Sequence, residues 1–196
     1  MSETSTSPTL CSVRLFLASL LLTVGQLGAQ PAQIILLRHA EKPTDEAEVS
    51  LSPRGRERAQ ALVALLGRRS PYTTSAPVAA LYATRVTKHD RSQRTGQTLA
   101  PSSQDLDLPV NTAFGSGEFA SLASSILRNP SYRGRTVIIC WAHGEIVQLA
   151  EALGVRPKPP PWKDKVFDRL WVITVTSSGA TLREVPQRLL PGDSRQ

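Results

Sequence analysis

Sulfur and imidazole are scarce in this chain, which has 2 cysteines, 3 histidines and 1 methionine among 196 residues. Cys11 lies near the amino end, so Cys140 is the only cysteine of the body of the chain and no internal disulfide is available to it. The core must therefore hold the fold. The three histidines are far apart and no Cys/His cluster has zinc-ligand spacing, so neither a structural metal nor a cofactor is expected. Aromatic residues make up 5% of the chain and are not interleaved with basic ones, which leaves no stacking platform for nucleic acid. The longest largely apolar stretch, Leu15 to Val24, has about ten residues against the roughly 20 a bilayer requires, so no stable membrane span is expected. No internal repeat is present.

What is abundant is positive charge. Lysine and arginine outnumber aspartate and glutamate 23 to 16, giving +7 at neutral pH. This excess is compatible with an anionic partner, and by itself does not choose between nucleic acid, a membrane surface, a small phosphorylated substrate and simple solubility. Residues 1–29 read as a secretory leader: Arg14 precedes the apolar run, and small and polar residues follow it up to Ala29. Cleavage after Ala29 or a few residues earlier would leave a domain of residues 30–196 and place it outside the cytoplasm, periplasmic or secreted. Glu3 and Arg14 cancel, so that domain keeps the +7.

Beyond the leader, strand and helix signals alternate. "IILL", Ile34 to Leu37, is an unbroken aliphatic run suited to a strand covered on both faces. From Ser52, "SPRGRERAQALVALLG" has a cap, a proline in the first turn and apolar positions at helical spacing, predicting one helix that ends at Gly67. Arg54, Arg56 and Arg58 read as the solvated face of that helix. "VAALYA" predicts a second buried strand and "DRSQRTGQTLA" a helix after it, despite Gly96. Phe119, Leu122, Ala123, Ile126 and Leu127 form a helical stripe, "TVIICWA" is the strongest strand, and Ile146 to Leu153 predicts a helix stopped by Gly154. The proline-rich "VRPKPPPWKDK" can only be a loop, "LWVITV" is a strand, "SSGATLREV" a turn and edge strand, and "PGDSRQ" a frayed tail. Cys140 reads as core. This order predicts an α/β fold, a three-layer α/β/α sandwich around a mostly parallel sheet.

In such sheets ligands gather beyond the carboxyl ends of the strands. Arg38 and His39 follow "IILL" directly, and His143 follows "TVIICWA", so both strands end in chemistry at the same edge. Two histidines leaving separate apolar strands, with arginines between them in sequence, favour an anion site over two structural histidines.

Four ordered segments, "LRHAEKP", "LSPRGRERA", "DRSQRTGQT" and "WAHGE", with the late strand "VFDRLWVIT", resemble the histidine phosphatase superfamily and its phosphoglycerate mutase-like fold, in the manner of its small, branch-1-like members. The resemblance runs from Ile34 to Thr176. It implies a metal-independent hydrolase of phosphate monoesters in which His39 attacks phosphorus to form a phosphohistidine, with Arg38, Arg91 and His143 holding the phosphoryl oxygens. Arg91 is preferred because it stands four positions before Thr95, and Arg94 is the fallback. The segment "ATRVTKHD" replaces the Ser-Pro common in the superfamily, and His89 within it reads as solvent-exposed. For the proton donor to the leaving group the order is Glu118, then Glu145, which also counts as substrate-binding, then Glu41; for Glu118 simple stabilisation of a helix amino end competes. The short chain lacks the insertions expected of a mutase, which favours phosphatase over phosphoglycerate mutase-type phosphotransferase. A phosphohistidine-protein phosphatase and a non-catalytic phosphate-binding module are the other readings. Trp162 and the lysines around it border a substrate mouth or form a plain surface linker. The partner implied is a small phosphorylated substrate, and the sequence does not specify an oligomeric state.

Overall fold

The computed structural model describes residues 30–45 and 47–194; the leader assigned to residues 1–29 lies outside the described residues. Six strands, β1 (Gln33–Arg38), β2 (Val78–Ala83), β3 (Val110–Asn111), β4 (Thr136–Trp141), β5 (Arg169–Thr176) and β6 (Gly179–Pro186), form one sheet in the order β3-β2-β4-β1-β5-β6. The first four are mutually parallel, while β5 and β6 run antiparallel as a hairpin at one edge.

The aliphatic run of β1 is unbroken because the strand is covered on both sides. Ile34 and Leu36 join a core with Leu122, Ala123 and Ile126 of α4 (Phe119–Arg128) and Ile146 and Leu149 of α5 (Ile146–Ala152). Ile35 and Leu37 point the other way, onto Leu62, Leu66 of α2 (Val63–Leu66) and Leu99 of α3 (Arg94–Leu106). Period-two alternation in the pleat sends successive side chains to opposite faces, so a strand between two helical layers has no polar position to spare. The result is a mostly parallel α/β/α sandwich. Cys140 is fully buried in the second of these cores, and burial pushes its thiol up.

Three local predictions shift. The helix after Ser52 is interrupted at Leu62, giving α1 (Pro53–Ala61) and α2. The third helix begins at Arg94 rather than near Asp90, because Asp90 and Thr87 close a turn of their own: the Asp90 N–H reaches the Thr87 hydroxyl and the Asp90 carboxylate accepts the Ser92 N–H. It also runs past Pro101 to Leu106, carried by the burial of Leu99 and Ser102.

The solvated face assigned to Arg58 is overturned. Its side chain is 2% exposed and its guanidinium forks onto the carboxylates of Glu41 and Asp193 and the amide oxygen of Gln187. Burial alone would lower this guanidinium; its hydrogen bonds to Asp193 and Glu41 outweigh it and raise it. Asp193 also accepts the N–H groups of Leu189 and Leu190, and Ser194 donates to Asp168, so the tail is tied down through position 194 instead of fraying.

α1 packs unusually close to the segment leaving β1. A Cβ built on Gly55 would come within 2.3 Å of the carbonyl oxygen of Glu41. In an open helix Gly→Ala stabilises by about 1 kcal/mol. Here the sign reverses: Gly55→Ala is expected to destabilise by about 1–3 kcal/mol through overpacking against backbone. A urea midpoint that rises in the variant would refute this.

Candidate active site

β1 and β4 are neighbours in parallel register, Arg38 opposite Trp141. The chain leaves β1 towards α1 on one face and β4 towards α5 on the other, and the crevice between two such departures is where an α/β sheet binds ligand. Arg38 ends β1, His39 is the next residue, and His143 is the second residue beyond β4.

His39 is buried, 8% exposed. Its Nδ1 lies 2.7 Å from the Ala40 carbonyl oxygen. A carbonyl only accepts, so Nδ1 carries the hydrogen and Nε2 keeps its lone pair. Burial pushes the imidazolium down to about 4, opposed by the Ala40 carbonyl and helped by the positive charges of Arg38 and Arg94 and by His143. The ring is thus neutral at physiological pH, with Nε2 unpaired among the described residues. Ala40 is in turn fixed by α3, since its N–H donates to the buried hydroxyl of Thr98 at 2.9 Å.

Arg38 is 5% exposed. Its guanidinium carbon sits 4.2 Å from the ring centroid of Phe167, one nitrogen donates to the Asp164 carbonyl, and its Nε is buried without a partner among the described residues. Burial lowers its proton affinity to about 10, which still leaves a cation at neutral pH. A buried cation with an unspent donor is what an oxyanion would complete.

The arginine of α3 that faces this pair is Arg94. Its charge is felt at both Arg38 and His39, and its guanidinium donates to the carbonyls of Ser50 and Glu48, pinning the loop after β1. Arg91 instead lies exposed in the turn ahead of α3, with no side-chain partner among the described residues. The signal was present in the sequence. The same four-residue spacing read against Thr98 instead of Thr95 selects Arg94, and Thr98 is the threonine that touches the His39 segment.

His143 lies close enough to lower the proton affinity of His39, and its Nε2 is 2.8 Å from a carboxylate oxygen of Asp164. The three acidic candidates are placed differently. Glu118 is half-exposed, accepts from the Gly115 N–H at 2.6 Å and pairs with Arg85 at 2.7 Å, and these contacts hold its carboxyl below the ordinary value. Glu41 is spent on Arg58. Glu145 precedes α5 without capping it through its side chain. His89 is exposed. Asp164 and Phe167 come from the proline-rich loop, anchored by Trp162, whose ring packs 4.8 Å from Trp171 and whose Nε1 donates to the Val166 carbonyl. Neither was legible in the sequence, since nothing local says where that loop crosses the sheet edge.

Among the described residues no cluster of three His, Cys, Asp or Glu side chains could hold a metal ion, and no helix is long and apolar enough to cross a membrane.

Comparison with family models and with curated proteins finds no match. Solved structures do match. The alpha-ribazole phosphatase from Shigella flexneri superimposes with a TM-score of 0.54 at 17% identity, over 83% of this chain and 100% of its own. The mycobacterial glucosyl-3-phosphoglycerate phosphatase, solved with inorganic phosphate, gives 0.52 at 15%, over 79% and 95%. The protein histidine phosphatase SixA, solved with tungstate, gives 0.51 at 16%, over 79% and 97%. The chain therefore has the phosphoglycerate mutase-like α/β fold of these phosphatases.

Proposed function

We propose that this protein is a histidine phosphatase that hydrolyses a phosphate monoester through a phosphohistidine on His39. The observation that carries the reading is the state of His39: a buried, neutral imidazole with Nδ1 spent on a carbonyl and Nε2 open, set among Arg38, Arg94 and His143. A phosphate monoester brings about two negative charges near neutral pH. Two guanidinium groups and an imidazole N–H supply the positive field in which phosphorus can be attacked, and catalysis of phosphoryl transfer is mostly positioning and charge stabilisation of this kind. Nε2 attacks in line with the ester oxygen; water then cleaves the phosphorus–nitrogen bond and returns His39 to its starting form. Arg94 takes the place first given to Arg91, because it shares an electrostatic environment with both Arg38 and His39.

The proposal includes a domain of residues 30–196 behind a leader, exported to the periplasm or medium, on the strength of residues 1–29 as sequence. The substrate class proposed is a small phosphorylated molecule.

The test is hydrolysis of an aryl phosphate by the purified protein, inhibited by vanadate and insensitive to chelator. Arg94→Ala is expected to lower kcat/KM on the order of 10²-fold, the scale for losing one charge-stabilising donor, while Arg91→Ala changes it by less than about twofold. Tight phosphate binding with no turnover would make the protein an anion-binding module instead, and a larger loss with Arg91→Ala would restore Arg91 to the pocket.

A further inference from the structure

The departing oxygen of a phosphate ester needs a proton, and two of the three acidic residues expected to give it are engaged elsewhere. Glu118 is held as an anion by Arg85 and a backbone N–H, and Glu41 is clamped by Arg58. One carboxylate does reach the anion site from outside the sheet edge. Asp164 places Oδ1 2.8 Å from Nε2 of His143, and its own carbonyl accepts from Arg38. It thus touches both Arg38 and His143 from the solvent side. Its side chain is 85% exposed, while its backbone is held on both flanks, by Trp162 packed on Trp171 and by Phe167 against Arg38 and His39. An anchored backbone carrying an exposed carboxylate at the open side of the site is the arrangement a proton donor needs, because the leaving group lies on the side of phosphorus opposite the buried nucleophile.

Resting on the phosphatase reading, we propose that Asp164 is the general acid and base of this site. A phosphate dianion seated between Arg38 and His143 arrives beside the Asp164 carboxylate, and two anions at one imidazole favour keeping a shared proton between them. That proton is the one handed to the leaving group and later regained from water. In the first step Nε2 of His39 forms a bond to phosphorus, the bond from phosphorus to the ester oxygen breaks with its electron pair on oxygen, and Asp164 gives that oxygen its proton, releasing the alcohol. In the second step water attacks phosphorus, Asp164 takes the water proton back, and the phosphorus–nitrogen electron pair returns to His39 as inorganic phosphate leaves.

The inference is tested with Asp164→Asn across a series of phosphate monoesters whose leaving groups range from 4-nitrophenol to simple alcohols. Good leaving groups need little protonation, so kcat is expected to fall less than about tenfold on 4-nitrophenyl phosphate and on the order of 10²–10³-fold on alkyl phosphates, the usual scale of general acid catalysis. The plot of log kcat against leaving-group pKa steepens accordingly. A merely structural role would lower all substrates alike, and that flat loss overturns the assignment. So does a gain in kcat/KM, which would mean that Asp164 only competes with substrate for the anion seat. Wild-type protein that turns over none of the esters overturns the phosphatase reading itself and this assignment with it.

Discussion

His39→Ala is expected to abolish turnover, lowering kcat on the order of 10⁴–10⁶-fold, the scale on which removing a covalent nucleophile acts. The atom responsible is Nε2, left with its lone pair because Nδ1–H is committed to the Ala40 carbonyl at 2.7 Å. Rapid quenching of the wild type with a radiolabelled aryl phosphate into base should trap an acid-labile phosphohistidine, and the variant should carry no label. Retention of more than a tenth of the activity, or label on another residue, would remove His39 from the reaction. The same burial sets the pH dependence. Because the imidazolium is pushed down to about 4, His39 stays unprotonated in the free enzyme well below the ordinary histidine value. Once the substrate's own ionisation is divided out, kcat/KM should show no acid limb from the nucleophile between pH 7 and about 4. Stability behaves in the opposite sense. The unfolded chain accepts a proton on His39 near its ordinary value of 6.5 and the folded chain refuses it until about 4, so this residue's contribution to stability declines as pH falls from 6.5 towards 4.

The second large effect is on the fold. Arg58→Met is expected to cost about 3 kcal/mol, because the substitution takes the buried cation from the carboxylates of Glu41 and Asp193, 14% and 5% exposed, and leaves them only the half-exposed Arg54 at 3.4 and 3.8 Å. In a domain of this size that corresponds to a fall in Tm of about 10 °C. What costs energy is the poorly compensated pair of buried anions rather than the lost attraction. Adding Glu41→Gln and Asp193→Asn to the methionine variant should therefore recover most of the loss. A single variant that loses less than about 1 kcal/mol, the value for an exposed surface pair, would sink this account. Asp193 gives an independent reading. Burial would raise its carboxyl, but hydrogen bonds from Arg58 and from the N–H groups of Leu190 and Leu189 hold it at about 2. Its contribution is complete above the ordinary aspartate value of 3.8 and is lost as pH falls through about 2. Activity should weaken along with stability, since Glu41 is two residues beyond His39 and its release loosens the segment that aims the nucleophile.

The two arginines of this molecule that sequence reading misplaced, Arg58 and Arg91, share one cause. Both lie in polar stretches where composition alone says "solvent", and the periodicity of the neighbouring apolar residues says nothing about charged side chains. Arg58 is buried because the chain returns 135 residues later to put Asp193 against it. Arg91 lies exposed ahead of α3, because Thr87 and Asp90 form a turn that delays the helix until Arg94. In the second case the information was local and misread by one turn of register; in the first it was not local at all.

By itself the sequence determined the layered sheet and the edge at which Arg38, His39 and His143 gather. Strand residues facing two helical layers must be uniformly apolar, and Arg38, His39 and His143 follow such strands directly, so a few residues of local pattern carry their positions. Only the tertiary structure decided which arginine faces His39, which carboxylate meets His143, and where Arg58 finds its partners. Those choices depend on the paths of loops and of the carboxyl-terminal segment, whose polar residues bury little apolar surface and so leave no periodic mark in the chain that encodes them.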